Sequence, residues 1–413
     1  MTKISKICVL VLWAASTFGQ SAPTSLQLLI AEARQNNATI KAAASAIQTS
    51  EYMPKQASAL PDTEVTVQSF TVGSPRPFAG YSNSDFAYIG FGASQEIPYP
   101  GKRALRANVA QHEIAISRAE KDAATWDVLT RLKLAYFQLA ASEQLVAVLE
   151  KNRQLADQIE QAAEIRYRVG QGTQQDVLRA QLERTKLLNE LSMQRREFAQ
   201  AQVVLKALLN RPPESSDLVP EPLSSRRIPE AAALLAKLRQ NNPELQVSAQ
   251  QVSQSQAAAA LAKREQRPDF GVQYVWQHTA DNFRDYYMGT FSIKLPNRSR
   301  VRAAEAQSRA KLSQVEAEKE SHLKQMESDL GEQIAIVQTS EQQLTVYEQG
   351  LVPQSQSALN AGLAGYRAGK QDYQGLLGSY NDTLRLAMDR ERTLAEHESA
   401  IAQVERLIGE ELQ

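Results

Sequence analysis

The sequence predicts a mainly α-helical, internally duplicated chain in which two pairs of β-strands precede two long helical hairpins. Three observations carry this. From Lys102 to Val169 neither proline nor glycine interrupts a run of helix-forming residues. The helix-breaking stretch YRVGQGTQQDVLRAQ (Tyr167 to Gln181) returns as YRAGKQDYQGLL (Tyr366 to Leu377), 199 residues later. Short segments that alternate apolar and polar residues stand before each long helix.

Composition narrows the class. Aromatic residues make up 6% of the 413 and mean hydropathy is −0.40, which excludes a bundle of membrane-spanning helices. Lys3 and Lys6 followed by apolar Ile7 to Ala15 read as a secretory leader, with cleavage expected between Gly19 and Ala22. The single cysteine, Cys8, lies inside that leader and lacks the small-residue pattern of a lipoprotein signal. The mature chain is therefore expected to be unlipidated and free of disulfides. Removing two lysines leaves 44 basic against 46 acidic residues, a balance that gives nucleic acid no footprint.

In chain order, Leu26 to about Ala59 is helix-forming and stops at Pro61-Asp62. In TEVTVQSFTV, Val65 and Val67 alternate with Glu64, Thr66 and Gln68, the period of a half-buried strand. A loop rich in Gly, Pro, Ser and Asn leads to a second strand, with Ala87, Ile89, Phe91 and Ala93 on one face. SQEIPYPGKR then opens the long helix. Its 68 residues to Val169 correspond to roughly 100 Å. Leu132, Tyr136, Leu139, Val146, Leu149, Ala156, Ile159 and Ala163 recur in steps of three, four and seven, the pattern of coiled-coil packing. After the glycine tip a returning helix runs to Leu209, and five prolines between Arg211 and Pro229 mark a connector.

The pattern then restarts. Arg34-Gln-Asn-Asn37 recurs as Arg239-Gln-Asn-Asn242, Pro61-Asp62 as Pro268-Asp269, and Ile97-Pro98 as Leu295-Pro296. Pro98 to Tyr167 spans 69 residues and Pro296 to Tyr366 spans 70, so the order and the spacing both repeat. In the second strand pair, Phe270, Val272, Tyr274 and Trp276 share a face, as do Tyr287, Phe291, Ile293 and Leu295. The expected divisions are a leader at 1–22, a first repeat at 23–210, a connector at 211–229 and a second repeat at 230–413. Strands are expected near 63–72, 86–97, 269–277 and 286–295, and long helices near 102–169, 174–209, 299–368 and 372–409. Pro353 interrupts the third of these helices and is expected to kink it.

Strands of about ten residues with one apolar face match tilted membrane-crossing strands. Four of them cannot close a barrel, since the smallest membrane barrels have eight, and an open edge in lipid leaves backbone groups unpaired. Either several chains pool their strands in a membrane, or the strands form a small soluble layer capping a helical rod. Tyr274, Trp276 and Tyr287 near strand ends favour a membrane interface.

With these words in order, the sequence resembles the TolC family of outer-membrane efflux factors over essentially its whole mature length. The resemblance rests on the duplicated helix–strand–strand–helix–helix order, SQEIPYPGKR, the two tip words, LKALLN before the connector, and Leu351-Val352-Pro353. It implies a homotrimer with one shared twelve-stranded barrel in the outer membrane, contacting outer-membrane lipid. It also implies a periplasmic α-barrel whose hairpin tips meet an adaptor protein and, through it, an inner-membrane pump. Substrate would pass chemically unchanged. The tip residues are Tyr167, Arg168, Gly170, Gly172 and Thr173, with Tyr366, Arg367, Gly369 and Lys370. The SQEIPYPGKR segment is similar to members that work with heavy-metal pumps.

One departure stands out. Where many members carry an acidic Asp-Val-Leu-Asp-like segment in the second hairpin, this chain has Gly375, Leu376, Leu377 and Gly378. A charge-held periplasmic gate would instead set Asp176 against Lys370 or Arg367 of a neighbouring hairpin. Equally, Asp176 is an early-helix acid favoured by the helix dipole. His112, His278, His322 and His397 are scattered, so no metal site, cofactor or catalytic group is expected, and no phosphate loop, nucleophile motif or zinc motif occurs. The alternative is a periplasmic adaptor or a structural coiled-coil protein; an adaptor, however, should carry one hairpin flanked by lipoyl-like and barrel modules, not two hairpins each preceded by a strand pair.

Overall fold

The computed structural model describes residues 24–73, 75–78, 86–279 and 285–412. The expected leader with Cys8, and much of the loops joining the strands of each pair, lie outside them. Two compact units are present. One comprises 24–32, Ala135–Ser224 and Gln349–Ala395; the other comprises Ala33–Leu134, Ser225–Glu348 and 396–412. Each unit therefore takes segments from both sequence repeats. Among the described residues no helix is long and apolar enough to cross a membrane.

The second of these units carries the sheet. α1 (Leu26–Asn36), α2 (Ala38–Glu51) and α3 (Met53–Ala57) stand where the sequence suggested one continuous helix. Asn37 makes the break: its Oδ1 accepts from the amides of Thr39 and Ile40, capping α2. Its counterpart Asn242 accepts from the Leu245 amide and caps α7 (Pro243–Arg264), which follows α6 (Ala231–Asn241). The repeated RQNN word is thus a repeated helix start.

β1 (Glu64–Phe70), β2 (Tyr88–Ile97), β3 (Asp269–Thr279) and β4 (Tyr286–Lys294) form one antiparallel sheet in sequence order. Phe91 pairs with Val67 and Trp276, and Val272 pairs with Phe291. Register therefore gathers Val65, Val67, Phe91, Phe270, Val272, Tyr274, Trp276 and Phe291 on one face. Thr66, Gln68, Gln273, Thr290 and Ser292 take the other. That polar face is crowded, since a Cβ on Gly92 would lie 2.7 Å from Thr66 Oγ1 and one on Gly271 would lie 2.5 Å from Ser292 Oγ.

Beyond the sheet, α6, α7, α8 (Arg298–Val346) and the end of α10 (Tyr373–Ile408) bury Leu234, Leu238, Leu330, Val404 and Leu407 together. Lys133, on α4 (Lys102–Arg168), bonds Glu405 at 2.6 Å, and both side chains are buried. Arg226 from the connector reaches Glu398 and Glu405, and His397 lies between Ser340 Oγ and the Arg226 carbonyl.

In the other unit, the distal part of α4 and α5 (Gln174–Leu208) form one hairpin, while α9 (Val352–Arg367) and α10 form a second. Leu145, Leu149, Ala156, Ile159 and Ala163 of α4 meet Leu187 and Leu191 of α5, and Leu359, Tyr366, Tyr373 and Tyr380 of the second hairpin. Of the step-of-three-and-four residues of α4, Leu149, Ala156, Ile159 and Ala163 are buried here, Val146 is partly buried against them, and Leu145 joins them from outside the series. Ahead of Pro353, the five residues Tyr347–Leu351 form a π turn. The expected interruption is there, and the wider turn stands where proline lacks an amide to bond.

Candidate functional site

Two regions present features that packing within the chain leaves unused, the hairpin tips and the sheet. At the first tip, the Gln171 and Gly172 amides return to the Arg166 carbonyl at 2.8 and 3.1 Å. Gly170 has φ +75°, a left-handed conformation that glycine adopts without penalty. Thr173 then starts α5 through a capping box: its hydroxyl accepts from the Asp176 amide, and the Asp176 carboxylate accepts from the Thr173 amide. The second tip repeats the closure. Lys370 N returns to Gly365 O at 2.9 Å, Gly369 has φ +73°, and Asp372 Oδ1 accepts from the Gly375 amide to start α10.

The equivalent tyrosines differ. Tyr167 is 48% exposed, whereas Tyr366 is 2% exposed. The Arg166 guanidinium covers Tyr366, 4.7 Å from the ring centroid, and donates to the Tyr366 and Gln171 carbonyls. Tyr373 meets Tyr366 edge-on at 5.9 Å. Burial raises the Tyr366 phenol pKa, and the Asp176 charge adds to the rise while Arg166 opposes it. Burial likewise raises Tyr373, with Glu183, Tyr366 and Asp176 contributing.

Arg168, Gly170, Arg367, Gly369 and Lys370 are exposed, as is Thr173, and Gly172 is half-buried. Among the described residues neither Arg367 nor Lys370 has a carboxylate partner, and Asp176 makes its contacts as a helix cap. Sequence reasoning missed Arg166. Its counterpart in the second repeat is Gly365, so the duplication that exposed the tips carries no echo of it.

The apolar face of the sheet is open. Phe291 is 64% exposed, Tyr274 is 55% exposed, and every residue of β4 is open to solvent. Rings pair across the apolar face: Phe91 with Trp276 at 5.8 Å, Tyr274 with Tyr287 at 6.5 Å, and Phe270 with Phe291 at 5.9 Å. Trp276 Nε1 donates to Asp285 at 3.1 Å, so its indole has an apolar body and a satisfied polar end. Among the described residues, no strand pairs with the outer edges of β1 and β4. An apolar face, a crowded polar face and two free edges in one sheet suit a shared barrel. No cluster of His, Cys, Asp and Glu suited to a metal ion occurs among the described residues.

A chain that carries both such a sheet and long paired helical hairpins fits a component of an outer-membrane channel. The chain belongs to the outer membrane efflux protein family, whose model matches residues 29–211 and 234–406. It is 23% identical over 394 residues to the cobalt-zinc-cadmium resistance protein CzcC of Cupriavidus metallidurans, covering 94% of this chain and 90% of that protein. Its fold is similar to that of CusC, with TM-score 0.79 at 14% identity and 96% of each chain covered. It is also similar to the outer membrane protein VceC of Vibrio cholerae, with TM-score 0.77 at 18% identity, covering 93% of this chain and 96% of that one. The chain is an outer-membrane efflux duct rather than an enzyme, and the adaptor reading falls away.

Proposed function

We propose that three copies of this chain close a single twelve-stranded barrel, and that their hairpins form a periplasmic conduit docked through its tips onto an adaptor and pump. The observation that supports this is the four-stranded sheet whose outer edges pair with no strand among the described residues, and whose apolar face is exposed. The two repeats give the register of the missing pairing. Within the chain Ile97 of β2 lies opposite Phe270 of β3. By the Ile97-Pro98/Leu295-Pro296 and Pro61-Asp62/Pro268-Asp269 equivalences, Leu295 meets Thr63 of the next copy. Phe291 then meets Val67 on the apolar face, and Lys294 meets Glu64 on the polar face. Apolar joins apolar, and opposite charges meet.

The test is a pair of substitutions, Glu64→Cys with Lys294→Cys, in a chain whose one native cysteine lies in the expected leader. Oxidation is expected to give covalent dimers and trimers that reduction dissolves. Monomer alone after oxidation, or cross-linking only after the pair is moved by two residues, contradicts this register.

At the tips, exposed Tyr167, Arg168, Arg367 and Lys370 provide the adaptor contact, and Lys370 or Arg367 of one hairpin faces Asp176 of the next as the gate. The cargo we propose is divalent metal ions, supported by the likeness to a cobalt-zinc-cadmium resistance protein. Passing a cation along a duct requires no resident metal site. Deleting the gene is then expected to raise cellular zinc or cobalt without raising retained dye, and the reverse pattern contradicts the cargo assignment.

A further inference from the structure

The aromatic ladder on the apolar face of the sheet continues into a cationic cleft. Phe291 stacks on Phe270, and Phe270 stacks at 6.3 Å on Tyr99, in the turn that follows β2. Two guanidinium groups lie over the Tyr99 ring, Arg264 at 4.9 Å and Arg267 at 6.0 Å. Arg264 also donates to the Pro100 carbonyl at 2.8 Å. Gly101 allows that fit, because its φ is +91° and a Cβ there would lie 3.3 Å from Arg264 Nη2. Beside them opens a cleft of about 740 Å³, with Lys263, Arg264 and Arg267 on its wall and Ala104, Leu105 and Ala260 lining it.

The nearby acids are engaged elsewhere. Glu265 pairs with buried Lys102 at 3.0 Å and with Arg106 at 2.9 Å, and Asp269 pairs with Lys102 at 2.9 Å. Among the described residues Lys263, Arg264 and Arg267 have no carboxylate partner. Three cations without a carboxylate partner thus edge a cleft of mixed polar and apolar lining, at the point where a lipid-suited ring ladder ends.

We propose that this cleft binds the headgroup of an anionic phospholipid from the periplasmic leaflet of the outer membrane. The phosphodiester sits against Lys263, Arg264 and Arg267, and the acyl chains run along Tyr99, Phe270 and Phe291. Free phosphate meets the same cations but has nothing to lay on the rings. Basic residues at a membrane surface attract anionic lipid additively, and the aromatic–cation pairing places them at headgroup depth. The proposal rests on the reading that the sheet crosses the outer membrane.

The test uses the full chain purified in detergent, with bound lipid counted by native mass spectrometry. Dioctanoyl phosphatidylglycerol is titrated against dioctanoyl phosphatidylcholine, with inorganic phosphate as a competitor. The variant Lys263→Gln with Arg267→Gln keeps Arg264, which holds the turn. Wild type is expected to prefer the anionic lipid, phosphate is expected not to displace it, and the double variant is expected to bind it about thirtyfold more weakly. That fold-change corresponds to ~2 kcal/mol. Equal binding of both lipids, or an unchanged preference in a variant that still fractionates with the outer membrane, overturns the proposal. Full displacement by phosphate makes the site one for a free anion and overturns its lipid occupant. Failure of wild type to enter the outer-membrane fraction overturns the membrane reading itself, and the proposal with it.

Discussion

Arg166 of the first hairpin lies over the ring of Tyr366 in the second, 4.7 Å from its centroid, and donates to the Tyr366 carbonyl. One side chain thus ties two tips that the sequence places 200 residues apart. Arg166→Ala removes the ring contact and a charged hydrogen bond, a loss of about 2 kcal/mol confined to the tips. Amide exchange at Gly369 to Tyr373 is expected to rise roughly tenfold or more, with little change over the sheet. Unchanged exchange there shows that the contact holds nothing.

The hydroxyls of Tyr366 and Tyr373 are buried without a hydrogen-bond partner among the described residues. Removing an unpaired buried hydroxyl is neutral to mildly stabilising, whereas emptying its ring site costs about 3 kcal/mol or more. Tyr373→Phe is therefore expected to keep or raise the melting temperature at neutral pH, and Tyr373→Ala to lower it. A drop with Phe as large as that with Ala would reveal a bond that the packing does not show.

The same burial makes the tips sensitive to alkali. Burial raises the Tyr373 and Tyr380 phenols, with the Glu183 charge reinforcing both. In the unfolded chain these groups lose protons near pH 10, while the folded chain keeps them. Between those limits the folded state binds more protons, so stability is full below about pH 10 and falls as pH rises past it. Melting temperature measured from pH 8 to 11 is expected to bend downward less in the double variant Tyr373→Phe, Tyr380→Phe. Identical curves contradict the assignment.

Lys133 and Glu405 form a buried ion pair, with Arg226 as a second partner for the acid. Lys133→Met leaves Glu405 short of one cation, at a cost of about 3 kcal/mol. Denaturant unfolding measures it. A loss under 1 kcal/mol would mean that Arg226 alone satisfies the carboxylate.

The two faces of the sheet offer a direct contrast. Phe291→Lys puts a charge on the apolar face and is expected to deplete the protein from the outer-membrane fraction, at about 2–4 kcal/mol in lipid. Thr290→Lys, one residue along and on the polar face, is expected to be tolerated. If both are tolerated, the apolar face meets water.

The fold class was legible because two periods, near two and near 3.6, each ran long enough to count, and because RQNN, the Pro-Asp pair, the apolar-Pro pair and the tip word each came twice. The word RQNN marked repetition and then proved to carry the caps, Asn37 and Asn242. What stayed hidden has physical reasons. A capping asparagine breaks a helix without the proline or glycine that usually signals the break, so Leu26 to Ala59 read as one element. Arg166 and Tyr366 occupy non-equivalent positions of the two repeats, and the cationic cleft joins a turn after β2 to the end of α7. Neither has a period or a spacing. Only the folded chain brings those residues together.

The most direct measurement places single cysteines at Ser82, between β1 and β2 in sequence, and at Gln171 in the first tip, and treats intact Gram-negative cells with a membrane-impermeant maleimide. Labelling at Ser82 but not at Gln171, with both labelled after lysis, is the expected result: strands across the outer membrane and tips in the periplasm. If neither position labels until the outer membrane is opened, the sheet does not reach the outside, and the exit-duct assignment is contradicted.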